Sequence, residues 1–243
     1  MSARREQFVL GAVAAAILVA IVAFAASGGV QSNTPPTPTP PPAPPRERPL
    51  FGGSLEPGVR YDSRVFVPKV SFVAADTEWL ARDTTSPDYL LLERRNRNGQ
   101  PGGEYPGRSW LAFSRLPVVY GPGRGSEIAA PADLYSWMRR HPDLEVGARD
   151  SALVAHVPGD AFTVRVRFRR PAVFAPMCIV PTNACTAIAP NRSLVNGMRM
   201  RTIVLRTEPD PVVIDVVGLT RRDLEKVEAP AARVLRTLRI GVP

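Results

Sequence analysis

Arginines spaced two residues apart are the first residues in this chain whose pattern suggests chemistry. Arg165, Arg167 and Arg169 alternate with Val164, Val166 and Phe168, and Arg199 and Arg201 repeat the spacing further along. A β-strand sends every second side chain to the same face, so each set presents its guanidinium groups on one surface. Were the two strands neighbours, they would form a basic patch able to grip phosphate or carboxylate groups through forked hydrogen bonds. The plainer reading is a solvated sheet face, because arginine is this chain's default cation: of 31 basic residues only Lys69 and Lys226 are lysine. Asp215 is the second polar feature. It interrupts the apolar run Val212–Val217, with Val213 and Val217 at i±2. A carboxylate on an apolar face needs a partner, and an arginine across the sheet would supply one, the pairing register being open.

Other reactive residue types give less. Cys178 and Cys185, the only cysteines, sit in CIVPTNAC. In an oxidising compartment such a pair forms a disulfide most simply. A metal site would need more ligands, and His141 and His156, the only histidines, stand at no common zinc spacing from them. No metal and no cofactor is therefore expected. Gly121-Pro122-Gly123-Arg124-Gly125-Ser126 lacks the last glycine of a dinucleotide fingerprint. It reads as a surface loop, with an anion nest around Arg124 as the alternative. Gly52-Gly53-Ser54-Leu55-Glu56 fails the serine-hydrolase elbow at its last position. His141, just before Pro142, reads as a helix-end residue and His156 as a strand residue. No carboxylate pair has a telling spacing, so no catalytic residue is assigned.

The elements that would position these groups follow from periodicity. Short β-branched and aromatic runs at Tyr61–Phe66, Lys69–Ala74, Tyr89–Arg94 and Ser109–Arg115 predict strands, with a tight break at Pro68 and an exposed loop over Asn96–Gly107. Leu134, Trp137 and Met138 fall at i, i+3 and i+4, predicting a short helix with Pro131 in its first turn and Pro142 ending it. Ala161–Arg169 alternates without a break. Met198–Thr207 and Val212–Val217 follow as strands, joined across Glu208-Pro209-Asp210-Pro211. Thr220 with Asp223 resembles a capping box. It opens a helix whose apolar face is Leu224, Val227, Ala231, Val234, Leu235 and Leu238, with Pro230 expected to kink or break it. The fold class predicted is α+β, an antiparallel sheet with packed helices.

The N-terminal segment gives a location. Phe8–Ala26 is uncharged, and as a helix it would span roughly 28 Å, close to the hydrocarbon core of a bilayer. Arg4 and Arg5 precede it and no charge follows before Arg46, so the expected topology keeps the N-terminus in the cytoplasm. Ala23-Phe24-Ala25 also fits a cleavage pattern, which leaves a cleaved, secreted form as the alternative. Eight prolines between Pro35 and Pro45 suit an extended polyproline spacer. The expected organisation is a tail at 1–7, a transmembrane anchor at 8–30, a stalk at 31–48 and an extracytoplasmic domain at 49–243. The formal net charge is +9. Outside the cytoplasm that favours anionic lipid or cell-wall polymer over nucleic acid.

Three stretches, LEPGVRYDSRVFVPKVSFVA (Leu55–Ala74), ADLYSWMRRHPDLEV (Ala132–Val146) and the closing VLRTLRI (Val234–Ile240), resemble a group of membrane-anchored extracytoplasmic proteins of actinobacteria. The element order is similar to the PsbP-like α+β sandwich. The resemblance spans most of residues 55–240 and implies a fold class without catalytic residues. The function expected is a binding or accessory module at the cell envelope, engaging the membrane, an anionic envelope polymer or another envelope protein. A sensor or binder of anionic envelope ligands through the arginine face is the second reading. An envelope hydrolase is the third.

Overall fold

The structure, a computed structural model, describes residues 44–95, 109–120, 127–167 and 197–241. The expected anchor, most of the stalk, the 96–107 loop, the glycine-rich segment 121–126, Arg169, Cys178 and Cys185 lie outside the described residues. Among those described, no helix is long and apolar enough to cross a membrane.

The elements in order are β1 (Glu47–Pro49), β2 (Gly53–Ser54), β3 (Arg60–Asp62), β4 (Val70–Val73), β5 (Trp79–Asp83), β6 (Tyr89–Arg94), β7 (Ser109–Arg115), β8 (Val118–Tyr120), β9 (Glu127–Ala129), α1 (Leu134–Arg140), β10 (Leu144–Val146), β11 (Asp150–Val154), β12 (Val157–Val166), β13 (Arg199–Leu205), β14 (Val212–Gly218), α2 (Arg221–Arg236) and β15 (Arg239–Ile240). The large sheet runs β10-β12-β13-β14-β7-β6-β5-β2, with β11 also on β12. Every pairing in it is antiparallel. A smaller sheet, β1-β3-β4-β15, has one parallel pair at β1–β3.

Both faces of the large sheet are covered, because β12 to β14 carry apolar residues in both phases of their alternation. On one face Ala161, Ile203, Leu205, Ile214, Val216, Leu111 and Phe113 pack against Tyr61, Val70 and Phe72 of the small sheet. They also meet Leu224, Val227, Ala231 and Val234 of α2. On the other face Phe162, Val164, Val166, Met200, Val213 and Val217 meet Val119, Leu134, Met138 and Leu144. A sheet sandwiched in this way reads as apolar runs more than as clean alternation.

Local chemistry sets the helix ends. The Asp133 carboxylate accepts from the Ser136 backbone N–H at 3.1 Å, so α1 starts at Leu134, and Pro131 lies ahead of the helix, not within its first turn. Thr220 Oγ1 accepts from the Asp223 N–H at 3.2 Å and donates to the Asp223 carboxylate at 2.7 Å, closing the α2 cap as expected. Pro230 does not break α2, which is continuous over its 16 residues with Pro230 buried against the sheet. Its missing N–H costs one helical hydrogen bond, and the apolar stripe around it supplies the packing that keeps the helix intact. The expected Tyr61–Phe66 strand ends at Asp62. Ser63 Oγ accepts from the Phe66 N–H at 3.1 Å, turning the chain into the loop before β4.

Candidate functional site

The arginine strands are neighbours. In the β12–β13 pairing Arg165 stands directly opposite Arg199, and Thr163 opposite Arg201. Directly opposed residues share a face, so Arg165, Arg199 and Arg201 project together, joined by Arg167 just past the end of β12. On its other side Arg165 faces Glu145 of β10. One row therefore reads Glu145–Arg165–Arg199–Gly218 across four strands. The apolar residues of the same face lie toward the opposite end of β12 and β13, under α2 and the small sheet.

Only two carboxylates serve these four cations among the described residues. Glu145 Oε2 lies 3.2 Å from Arg167 Nε and 3.7 Å from Arg165 Nη1. Asp150 Oδ2 lies 3.4 Å from Arg201 Nη2. Arg199 has no carboxylate partner there, and Arg165 Nε is buried without a hydrogen-bond acceptor. Exposed pairs of this kind contribute only about 0–1 kcal/mol, so an incoming anion can displace them cheaply. Like charges placed directly opposite each other in a sheet are unfavourable. A shared anionic ligand would remove that repulsion.

Asp215 does not join this patch. The register sets it beside Thr202 of β13 and Ala112 of β7, on the face opposite the arginines. Its partner is the Thr202 hydroxyl, which donates to Oδ1 at 2.6 Å. The correction follows from strand parity: Arg201 pairs with Val216, one position out of phase with Asp215. The apolar surroundings push the Asp215 pKa up to about 6, against the smaller opposing effect of the Thr202 bond. The folded state thus holds this proton more tightly than the unfolded chain. The resulting stabilisation is present in full below 3.8, the ordinary value, and is lost as pH rises through about 6. Asp215→Asn keeps an acceptor for Thr202 but cannot ionise. Its melting temperature relative to the parent is expected to be higher at about pH 8 than at about pH 4. An equal difference at both pH values would reject the buried-acid account.

The histidines sit at a helix end and in a hairpin turn. His141 is buried at the α1 C-terminus, where its Nδ1 accepts from the Asp143 N–H at 3.3 Å and its ring lies 5.4 Å from that of Trp137. Nε2 then carries the proton, with no acceptor among the described residues. Burial holds the His141 pKa below the ordinary 6.5, so its contribution runs opposite to that of Asp215. Full stability is present above 6.5 and is lost as pH falls toward the lowered value. His156 is not a strand residue. With φ of 65° beside Ala155 at 51°, it forms the two-residue turn between β11 and β12. Two successive positive φ values match a type I′ hairpin turn, and Ala-His lacks the Asn or Gly that normally signals one. Among the described residues neither histidine has a nucleophile bonded to it, and no His, Cys, Asp and Glu side chains gather as a metal site.

No family model matches the chain, and no curated protein does. Among solved structures it is similar to the solution structure of cyanobacterial PsbP from Synechocystis, at 10% identity and a TM-score of 0.38, covering 78% of this chain and 94% of that one. A likeness at that level carries no argument about activity. The architecture rests on the chain's own pairing, a mostly antiparallel sheet with two helices among the described residues.

Proposed function

We propose that this chain is a membrane-tethered, extracytoplasmic binding module whose arginine face takes up anionic groups at the cell envelope. The observation that carries the reading is the direct opposition of Arg165 and Arg199, with two carboxylates among the described residues serving four guanidinium groups. Forked guanidinium donors suit phosphate and carboxylate oxygens. The Phe8–Ala26 run and the proline-rich stretch after it support the tether and the location. The element order suits the PsbP-like sandwich, and the stretches Leu55–Ala74, Ala132–Val146 and Val234–Ile240 suit the actinobacterial envelope group as the setting. Phosphate or carboxylate groups of lipid and of wall polymer present the same chemistry to such a face.

The test uses the full chain in phosphatidylcholine nanodiscs, mixed in one arm with soluble polyphosphate and in the other with phosphatidylglycerol vesicles. Retention by the parent is expected to weaken with salt. Arg165→Glu combined with Arg199→Glu is expected to weaken it about tenfold or more. Loss in the vesicle arm alone points to lipid, and loss with polyphosphate points to a polymer. Retention unchanged in both arms removes the reading.

A further inference from the structure

Three large apolar side chains project into solvent at one end of the small sheet. Phe51, Val65 and Val67 are 65%, 39% and 38% exposed. The strands β1 and β3 run parallel, and the Leu50 N–H donates to the Asp62 carbonyl at 2.8 Å, so both release the chain at the same end. Phe51 follows there. The β3–β4 hairpin turns there too, closed by the Ser63 N–H donating to the Val70 carbonyl at 2.8 Å. Alternate residues of this tip are held inward. Phe66 and Pro68 are buried, Ser63 Oγ accepts from the Phe66 N–H at 3.1 Å, and the Val67 N–H donates to the Pro87 carbonyl at 2.8 Å. Val65 and Val67 are thereby fixed outward. Arg64 and Lys69 flank them, both exposed, with Lys69 Nζ 3.0 Å from the Asp62 carboxylate. Apolar residues scattered singly over a surface are ordinary, whereas three gathered at one tip mark an interaction site.

We infer that this tip is a lipid-docking wedge: Phe51, Val65 and Val67 enter the interfacial layer of an anionic bilayer, and Arg64 and Lys69 meet its headgroup phosphates. Binding of this kind grows with the apolar area buried and with attraction to anionic lipid. Long cationic stems lie along apolar surface while their charges stay at headgroup level. A protein partner fits less well, since three side chains offer far less than the roughly 800 Å² per partner of a standard interface. The inference rests on the proposed tether only for the nearness of a bilayer. It does not depend on the arginine face. The Pro87 bond sets the tip at the end of the large sheet where Asp88, Arg115 and Val212 meet. Arg165 and Arg199 share their row with Gly218, at the other end of β14, roughly 20 Å along the strand. The two surfaces can therefore be tested apart.

The experiment is nuclear magnetic resonance of the full chain in phosphatidylglycerol nanodiscs that carry a trace of lipid spin-labelled near the headgroup. The label is expected to broaden the Phe51, Val65 and Val67 amides, and to broaden them less in phosphatidylcholine nanodiscs. Val65→Ser combined with Val67→Ser is expected to weaken lipid contact about tenfold, read as recovery of the Phe51 signal. Arg165→Glu with Arg199→Glu leaves the broadening of the tip in place. Tip amides that stay sharp beside phosphatidylglycerol overturn the proposal, as do tip shifts that follow protein concentration and not lipid, the mark of a second copy. Signals from Phe8–Ala26 report the tether separately in the same sample, so an embedded anchor with a sharp tip counts against the wedge alone. The broadening is read on the parent protein, so it decides the question even if the serine variant fails to fold.

Discussion

Gly218→Ala is expected to destabilise the domain by about 3 kcal/mol, although it adds a single methyl group. Gly218 ends β14, and the first turn of α2 lies directly on it. A Cβ there would sit 2.6 Å from Leu224 Cα and 2.7 Å from the Asp223 carbonyl carbon, with the Leu224 nitrogen nearer still. All three are backbone atoms, so no side chain can rotate away. Relief requires moving the capped turn itself, including the bond in which the Ser109 hydroxyl donates to the Asp223 carbonyl at 3.1 Å. Urea denaturation should show a lower midpoint with an unchanged slope. Gly52→Ala is the control: its Cβ would meet only the Ala81 carbonyl oxygen at 3.7 Å, and a change within about 0.5 kcal/mol is expected. If both variants behave alike, the close approach of helix and sheet is wrong.

Phe162→Ala is expected to cost about 3–5 kcal/mol, and its loss falls on the other side of the sheet. Phe162 is fully buried, and its ring meets Tyr135 of α1 edge-on at a centroid distance of 5.1 Å. Removing it opens a cavity under the only helix on that face among the described residues. Amide exchange in α1 should accelerate first, with α2 retaining more of its protection because it rests on the separate core around Phe113 and Ile214. Equal acceleration in both helices would show that the two cores fail as one unit.

The elements legible in the sequence are those whose own pattern is long enough to carry a period. The bounds of β6 and β7 agree with their apolar runs, and the Thr220–Asp223 cap marks α2 to the residue. Strands β1, β2, β8 to β11 and β15 have no such signal, being only two to five residues long. They exist because a neighbour offers hydrogen bonds, a cause that lies far away in the chain. The Ala155-His156 turn is hidden for a related reason, since its positive φ values are imposed by hairpin closure and not by residue type. At the site, the spacing of Arg165, Arg199 and Arg201 is readable, but their adjacency is not. Strand order decides it. The expected arginine partner of Asp215 fails for want of the register, because a shift of one residue exchanges the two faces of a strand.

The pairing of β15 with β4 joins Arg239 to Ser71 and Ile240 to Val70, and the Gly241 N–H donates to the Lys69 carbonyl at 2.8 Å. In a ribosome's order of synthesis, β4 waits for nearly the whole domain before this neighbour exists. Contacts so distant in sequence form slowly, after the loops between them have closed. Until then the outer edge of β4 stands open, and it is the stretch most open to capture by a chaperone or by another copy of the chain. Completion of the small sheet is therefore a timing event, reached only when the last strand arrives.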